Sequence, residues 1–193
     1  MHNQDTFIGP SFSLANRLAR VIWNIACLLL FRYSPVWLHG WRRFILRSFG
    51  ARIGRGVHVY PAVKIWAPWN IEIDDESGIG NGAILYSQNR IVIGKRVVIS
   101  QGAHLCTGTH DYHHPGYPLC TFPIAIGDYA WIAAEAFIHP GVSIGTGTVI
   151  GARAVVIKDM PDWTICAGHP CNPLKPRKPF DDFSTHTHEK RSS

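Results

Sequence analysis

Aliphatic residues recur at a spacing of six along the C-terminal half of this 193-residue chain. The uninterrupted series is Ile126, Ile132, Ile138, Ile144, Ile150 and Val156. A period of six matches neither the helical period of 3.6 nor simple strand alternation over this length. It does match a solenoid in which each flat side of a triangular coil takes one hexapeptide. The spacing therefore predicts an all-β fold, a parallel β-helix, whose aliphatic side chains point inward on every side; the alternative is a β-sandwich with a coincidental spacing.

The same spacing occurs earlier in three shorter series that are displaced from one another by two residues. They are Ile53, Val59, Ile65 and Ile71, then Ile73, Ile79, Leu85 and Ile91, then Ile93, Ile99 and Leu105. An insertion of two residues keeps the inward positions inward, because the inside/outside period of a strand is two. We therefore predict a β-helix domain at residues 51–160, with an extruded loop at 107–123 where the spacing is lost.

Positive charge is concentrated at the N-terminus. Up to Gly56 the chain has eight arginines and a single acid, Asp5, which gives this segment a net charge of +7, whereas the whole chain carries +6. The five cysteines are odd in number and lack CxxC spacing, which argues against a disulfide framework or a zinc ribbon. The first residues also lack the basic cluster of a secretory signal. A cytoplasmic location is expected, with peripheral attachment to the inner face of the cell membrane as a further expectation.

Residues 1–50 form a predicted amphipathic, basic helical segment, and residues 161–193 a predicted C-terminal cap and disordered tail. Ser13 is the expected N-cap of a first helix whose apolar residues share one face. A second helix is expected from Ser34-Pro35 to Gly50, with Trp37, Trp41, Phe44 and Ile45 on its apolar face.

Two roles for these helices remain open. As an end cap of the solenoid, they would bury the aromatic face and leave the arginines solvated. As an interfacial element, they would also lie on an anionic membrane surface. The apolar run from Val21 to Phe31 is shorter than the roughly 20 residues that a bilayer requires, so a transmembrane span is not expected. Nucleic-acid binding is not expected either, because no recognition motif accompanies the arginines.

His110, in the predicted loop, is a candidate general base, since a rigid scaffold often presents functional side chains on such loops. The surrounding motifs are Leu105-Cys106-Thr107-Gly108-Thr109-His110-Asp111, Pro123-Ile124-Ala125-Ile126-Gly127, Lys158-Asp159-Met160-Pro161 and Ala167-Gly168-His169-Pro170. Together they resemble the hexapeptide O-acetyltransferases of the galactoside, maltose and nodulation-factor group, and most of all those of colanic acid biosynthesis. The resemblance covers nearly the whole chain apart from the tail.

This resemblance implies a homotrimer of left-handed β-helices with acetyl-CoA as co-substrate between subunits. His110 would act as the general base on a sugar hydroxyl in exopolysaccharide or lipid-linked oligosaccharide biosynthesis, and Asp111 could orient the imidazole. Coenzyme contacts carried over from the family fall at Trp131, Ala134, Ala152, Ile157, Lys158 and Lys175. Tyr86 and Asn89, on a neighbouring coil, are candidate acceptor-binding residues, and no metal is expected.

Other functions stay open from the sequence. A drug-modifying acetyltransferase would have the same fold but is expected to lack the long amphipathic N-terminal segment. A zinc carbonic anhydrase is disfavoured, because the histidine pair five residues apart in that family is absent here. A non-catalytic hexapeptide scaffold would be indifferent to His110. A covalent acyl-enzyme on Cys106, Cys120 or Cys166 is disfavoured relative to direct transfer, because no recognised nucleophile motif pairs these cysteines with a histidine.

Overall fold

The computed structural model describes residues 11–180, which form a parallel β-helix with helices at its N-terminal end. The helical elements are α1 (Leu14–Ala26), which continues into a π-helical turn (Cys27–Phe31), α2 (His39–Ser48), and a 3-10 turn (Pro68–Asn70). The strands are β1 (Arg52–Ile53), β2 (His58–Val59), β3 (Lys64–Ile65), β4 (Ile71–Ile73), β5 (Gly78–Ile79), β6 (Ile84–Tyr86), β7 (Ile91–Ile93), β8 (Val98–Ile99), β9 (His104–Cys106), β10 (Gly108–His110), β11 (Leu119–Thr121), β12 (Ile124–Ile126), β13 (Trp131–Ile132), β14 (Phe137–Ile138), β15 (Ser143–Ile144), β16 (Val149–Ile150), β17 (Val155–Val156), β18 (Thr164–Gly168) and β19 (Cys171–Pro176).

The strands stack into three flat sides, so the predicted solenoid is confirmed. Side A contains β1, β4, β7, β12 and β15; side B contains β2, β5, β8, β13, β16, β18 and β19; side C contains β3, β6, β9, β14 and β17. Pairing within these sides is parallel except between β18 and β19, which form an antiparallel C-terminal hairpin. The chain thus makes five complete coils and begins a sixth.

Register confirms the two-residue displacements of the aliphatic series. On side A, residues from four different series stack in line: Ile53, Ile73, Ile93, Ile126 and Ile144. These five side chains are all buried. Burial of stacked isoleucines from neighbouring coils is the main stabilising term, and it adds up coil by coil along the solenoid.

The first coil has no preceding coil whose N–H groups could donate to its carbonyl groups at the N-terminal end of the solenoid. Side chains of the helices donate to these carbonyls instead. In the second coil, the Ile73 carbonyl accepts from Gly54 N–H of the first coil. The equivalent carbonyls of the first coil accept from Arg47 at Ile53 (2.6 Å), Arg43 at Val57 (2.8 Å), Arg42 at Val59 (2.6 Å) and Trp23 at Ile65 (2.8 Å). An uncovered edge would leave strand carbonyls available for aggregation or unpaired. The helices therefore cap the solenoid by hydrogen bonding.

This cap has the opposite polarity to the one expected from the sequence. Arg42 is fully buried, whereas Trp37 is 78% exposed and Phe44 is 61% exposed. The expectation of a buried aromatic face with solvated arginines was wrong for Trp37, Phe44 and Arg42, although Ile45 of the expected apolar face is buried. The end of the solenoid presents carbonyl oxygens as well as apolar side chains, and guanidinium groups can satisfy several carbonyls at once.

The bounds of the helices differ from expectation at two points. Ser13 caps α1 as predicted, accepting a hydrogen bond from Asn16 N–H at 3.2 Å. The second helix begins at His39 instead of Ser34-Pro35, because the Ser34 hydroxyl donates to the Phe31 carbonyl and accepts from Arg42. The continuous helical stretch Leu14–Phe31 has 18 residues and is long and apolar enough to cross a membrane by length and composition alone. The expectation that the apolar run is too short to span was therefore wrong.

The C-terminal residues were only partly predicted. Within the predicted C-terminal cap and tail at 161–193, residues Thr164–Gly168 and Cys171–Pro176 form the two strands of a hairpin, which the sequence did not indicate. Residues 181–193 of the predicted tail lie outside the described residues.

Candidate functional site

His110 lies at the end of a β-hairpin that projects from the solenoid. Strands β10 and β11 pair antiparallel, with His110 opposite Leu119. The hairpin leaves the solenoid after β9 on side C and returns at β12 on side A, so it stands at the edge where these two sides meet. The sequence predicted an extruded loop here, but it gave no indication of the hairpin, because the two short strands lack an alternating apolar pattern.

The His110 imidazole is exposed and is oriented by a backbone carbonyl. Its Nδ1 lies 2.6 Å from the Tyr117 carbonyl oxygen. A carbonyl can only accept, so Nδ1 carries the proton and the neutral ring has its lone pair on Nε2. The hairpin therefore holds His110 in the tautomer that a general base requires.

Asp111, the predicted orienting group, has a different contact in the structure. Its Oδ1 accepts from the backbone N–H of His113 at 2.9 Å, which closes a local turn in the hairpin connection. The orienting role that was assigned to Asp111 is filled here by the Tyr117 carbonyl. A direct catalytic role for Asp111 stays a prediction.

The base of the hairpin is fixed by buried polar contacts. Thr107 is fully buried, and its hydroxyl donates to the Tyr86 carbonyl at 2.7 Å while accepting from Asn89 N–H at 2.9 Å. The Asn89 side-chain amide donates to the Thr121 carbonyl at 3.1 Å. A Cβ on Gly108 would stand 1.8 Å from Gln88 Oε1, so any other residue here would require the Gln88 side chain to move. Thr107 and Gly108 were quoted in the motif from the sequence, but their anchoring role depends on contacts between coils that no local pattern reveals.

The two candidate acceptor-binding residues occupy different positions near this hairpin. Asn89 uses its amide to hold the hairpin base, as described above. Tyr86 faces outward from β6 with its ring 6.2 Å from that of His104, and its hydroxyl accepts from Gln88 at 3.1 Å. Burial lowers the pKa of His104. Acceptor binding by Tyr86 and Asn89 stays a prediction.

Three of the predicted coenzyme-contacting residues lie on side B or at its edge with side C. Trp131 is 46% exposed on β13, and its Nε1 donates to Ser100 at 2.9 Å. Ala134 and Ala152 occupy equivalent turns of successive coils, since Arg153 N–H donates to the Ala134 carbonyl at 2.9 Å. Because neither alanine extends beyond Cβ, this edge offers the backbone access that a pantetheine arm needs.

The other three predicted coenzyme-contacting residues are near the C-terminal hairpin. Ile157 and Lys158 follow β17 at the edge between sides C and A, the same edge as the His110 hairpin. The Lys158 ammonium group donates to Asn172 on β19 at 3.0 Å, and Lys175 lies on that same strand. Two exposed cations thus stand near the last coils, where phosphate groups would find point charges.

Within one chain, His110 and the alanine edge lie on two different edges of the prism. Side C separates the edge with His110 and Lys158 from the edge with Ala134 and Ala152. Two surface depressions lie elsewhere, one of about 540 Å³ against side A and one of about 240 Å³ beside Trp23. The described residues of a single chain therefore do not bring the base and the alanine edge together.

Cysteine and metal chemistry find little support among the described residues. Burial raises the pKa of the Cys106 and Cys166 thiols, and it raises that of Cys171 to about 11. A nucleophilic thiolate requires the opposite shift. Within residues 11–180, no group of three His, Cys, Asp or Glu side chains could hold a metal ion.

Known proteins resemble this chain in sequence and in fold. The family of bacterial transferase hexapeptide proteins (six repeats) matches residues 123–158. A protein of Escherichia coli strain K12 named as a colanic acid biosynthesis acetyltransferase, WcaF, is 40% identical over 170 residues, 88% of this chain and 93% of that protein. The solved maltose O-acetyltransferase of Clostridium difficile 630 superposes with a TM-score of 0.80 at 26% identity, covering 86% of this chain and 90% of its own.

One solved structure was determined with acetyl coenzyme A. It is a hexapeptide-repeat-containing acetyltransferase from Vibrio cholerae O1 biovar eltor, with a TM-score of 0.80 at 24% identity, covering 88% of this chain and 93% of its own. At that identity the likeness extends to the fold.

Proposed function

This chain belongs to the hexapeptide-repeat acetyltransferases, and from that premise we propose that it moves an acetyl group from acetyl-CoA to a sugar hydroxyl, with His110 as general base. The observation that supports this role is the 2.6 Å contact between His110 Nδ1 and the Tyr117 carbonyl. It leaves Nε2 as an exposed acceptor in a fixed orientation. General-base catalysis of this kind contributes about 10²- to 10⁴-fold in rate.

The proposed chemistry is a direct transfer with both substrates bound. Acetyl-CoA supplies the activated thioester. His110 Nε2 takes the proton from the acceptor hydroxyl as that oxygen forms its bond to the acetyl carbon, and the carbon–sulfur bond breaks. The proton on His110 then passes to the departing sulfur, which restores the neutral base. The raised thiol pKa of Cys106 and of Cys166 supports a direct transfer over an acyl-cysteine.

The coenzyme is proposed to lie along the edge with Ala134 and Ala152, beside Trp131. Small side chains admit the pantetheine arm, the exposed indole offers a flat apolar surface, and Lys175 offers a charge for phosphate. Ile157 and Lys158 lie on the edge with His110, so any contact they make with this coenzyme would come from the subunit that supplies His110.

The active site is proposed to form between subunits of a homotrimer. His110 and the alanine edge lie on different edges of one prism, so they cannot face each other within a chain. In the three-fold arrangement that we propose, the edge between sides C and A of one subunit faces the edge between sides B and C of the next. Each site would then take its base from one subunit and its alanine edge from the other.

The acceptor is proposed to be a sugar of an exopolysaccharide or of a lipid-linked oligosaccharide. Support comes from the relative named for colanic acid biosynthesis and from the aromatic and amide groups at the base of the hairpin, Tyr86 among them. Aromatic faces and hydrogen-bonding side chains are the groups that suit a sugar ring.

Mixed oligomers test the shared site. His110→Ala removes the base, and Ala152→Trp fills the coenzyme edge, so each homo-oligomer is expected to be inactive on a panel of sugar acceptors. Co-expression is expected to restore part of the activity, because some interfaces then pair an intact His110 with an intact Ala152. Inactivity of the mixture, with mixed assembly verified by mass, would refute the shared site. His113→Ala, in the same hairpin, is the matched histidine control and should retain most of the wild-type activity.

A further inference from the structure

The apolar stripe of α1 faces away from the protein. Seven aliphatic residues of the helical stretch are each at least half exposed: Leu14, Leu18, Val21, Ile22, Ile25, Leu28 and Leu29. The five on α1 fall within about 100° around the helix axis at 100° per residue, and the two on the π-helical turn continue the row. Trp23 lies on the opposite face and is fully buried. A helix of a soluble protein normally buries such a stripe, so its exposure indicates a binding surface.

Aromatic residues of the α2 region extend this surface. Trp37 and Phe44 are 78% and 61% exposed, and the Trp41 ring stacks 5.9 Å from that of Phe44. Trp41 Nε1 donates to the Leu30 carbonyl at 2.9 Å, which joins the aromatic group to the end of the aliphatic row. We call the seven aliphatic residues together with these three aromatic residues the apolar face.

The charge around the apolar face is uniformly positive. Residues 11–50 contain six arginines and no acidic residue. Four of these arginines face the first coil: Arg42, Arg43 and Arg47 donate to its carbonyls, and Arg20 stacks on Trp66. Arg17 and Arg32, at the two ends of the helical stretch, form no ion pair with a carboxylate within residues 11–180. An aliphatic row, amphipathic tryptophans and flanking arginines are the combination that binds an anionic lipid surface.

We propose that α1, the π-helical turn and α2 dock this protein on the surface of an anionic lipid bilayer, with the apolar face in the headgroup region. This inference goes beyond the acetyl-transfer reaction and is independent of it. Docking there would hold the enzyme in the plane where a lipid-linked acceptor lies.

A second copy of the chain fits this surface less well. Pairing of two equivalent apolar faces would bring their arginines together, and like charges repel. Pairing with a different face would require an apolar patch edged by acids. Other large exposed apolar side chains, such as Val98, Leu174 and Phe122, are spread over different parts of the solenoid.

The contacts of α1 also favour an orientation parallel to the membrane over insertion across it. Trp23 donates to the Ile65 carbonyl at 2.8 Å, and the Arg20 guanidinium stacks 4.2 Å above the Trp66 ring. Both contacts fasten the inner face of α1 to the first coil. A spanning orientation would have to break them and to draw Arg17 and Arg20 into the hydrocarbon.

Vesicle flotation of the full chain tests the proposal. Phosphatidylcholine vesicles with phosphatidylglycerol are expected to carry the protein to the top of the gradient, and vesicles of phosphatidylcholine alone much less. High salt should weaken the binding, since the arginine contribution is screened. Two glutamates in the double variant Leu18→Glu/Ile25→Glu should reduce the bound fraction at least about tenfold, because they oppose both the apolar and the electrostatic attraction. Leu174→Glu, a matched change at a 65% exposed leucine on β19, should bind like the wild type.

Four outcomes would overturn the proposal. The first is that the double variant, with an unchanged melting temperature, binds as well as the wild type. The second is that neither vesicle binds the wild type. The third is a smaller oligomer mass of the double variant in solution, which would assign the apolar face to a second copy. The fourth is retention of the wild type in vesicles after extraction with alkaline carbonate, which would indicate a helix that crosses the bilayer.

Discussion

Replacement of Arg42 by methionine is expected to destabilise the protein more than any other single arginine change at the cap. Arg42 is fully buried and donates to the carbonyls of Val59 (2.6 Å), Pro35 (2.9 Å) and Val36 and to the Ser34 hydroxyl (2.7 Å). Methionine approximates the stem of the side chain but donates no hydrogen bond. A buried acceptor that loses its donor costs about 1–3 kcal/mol.

The size of the effect follows from the burial of those acceptors. The bond to Val59 is buried, so its carbonyl should bear the full penalty, whereas the acceptors at residues 34–36 are partly buried and can turn to water. We therefore expect Arg42→Met to lower the free energy of unfolding by about 3–5 kcal/mol. For a domain of this size, that corresponds to a melting temperature lower by about 6–20 °C.

Urea unfolding followed by circular dichroism gives the measurement, with two controls. Arg43→Met loses one hydrogen bond, to Val57 at 2.8 Å, and should cost about 0.5–1.5 kcal/mol. Arg52→Met loses an exposed ion pair with Glu72 and should cost about 0–1 kcal/mol. If Arg42→Met were no more destabilising than Arg52→Met, the account of the cap as a set of side-chain donors to edge carbonyls would be refuted.

Three further outcomes are expected. Burial lowers the pKa of both His39 and His104, so the unfolded chain binds protons near pH 6.5 that the folded chain does not. The contribution of these histidines to stability should therefore be complete above that pH and should fall as the pH drops below it. His104→Phe should make urea midpoints between pH 7.5 and 5.5 less dependent on pH. A steeper dependence in the variant would contradict this. Thr107→Val removes both hydroxyl hydrogen bonds at the hairpin base and should lower the free energy of unfolding by about 1–3 kcal/mol, measured in urea. An unchanged urea midpoint would show that these two hydrogen bonds contribute nothing to stability. Cys106→Ala should retain acetyl transfer in a steady-state assay, and complete inactivity in a folded variant would favour an acyl-enzyme.

The coils could be predicted from the sequence because each inward position is set by its own hexapeptide. Ile132 and Ile150 pack in line through a local repeat, and the two-residue insertions preserve that order. The helical cap could not be predicted in this way. The residues that share a face of α1 were evident from the 3.6-residue period, but which face is buried depends on the carbonyl edge that the helix meets. The helical period alone does not predict which face of α1 packs against that edge.

The candidate site shows the same division. His110 could be singled out because its motif is short and continuous in sequence. Its orienting partner could not, since the Tyr117 carbonyl is a backbone group seven residues away, brought into contact by the hairpin. Adjacency in sequence suggested Asp111 instead, although neighbouring side chains on a strand point to opposite sides.

The most direct test of the central claim compares acetyl-CoA binding with turnover in the wild type and in His110→Ala. Calorimetry should give similar binding for both proteins, because His110 lies outside the alanine edge proposed for the coenzyme. Acetyl transfer to an accepted sugar should fall by about 10²- to 10⁴-fold in the variant. Turnover in His110→Ala equal to the wild type would contradict the assignment of the base, and a failure of both proteins to bind acetyl-CoA would contradict the proposed reaction itself.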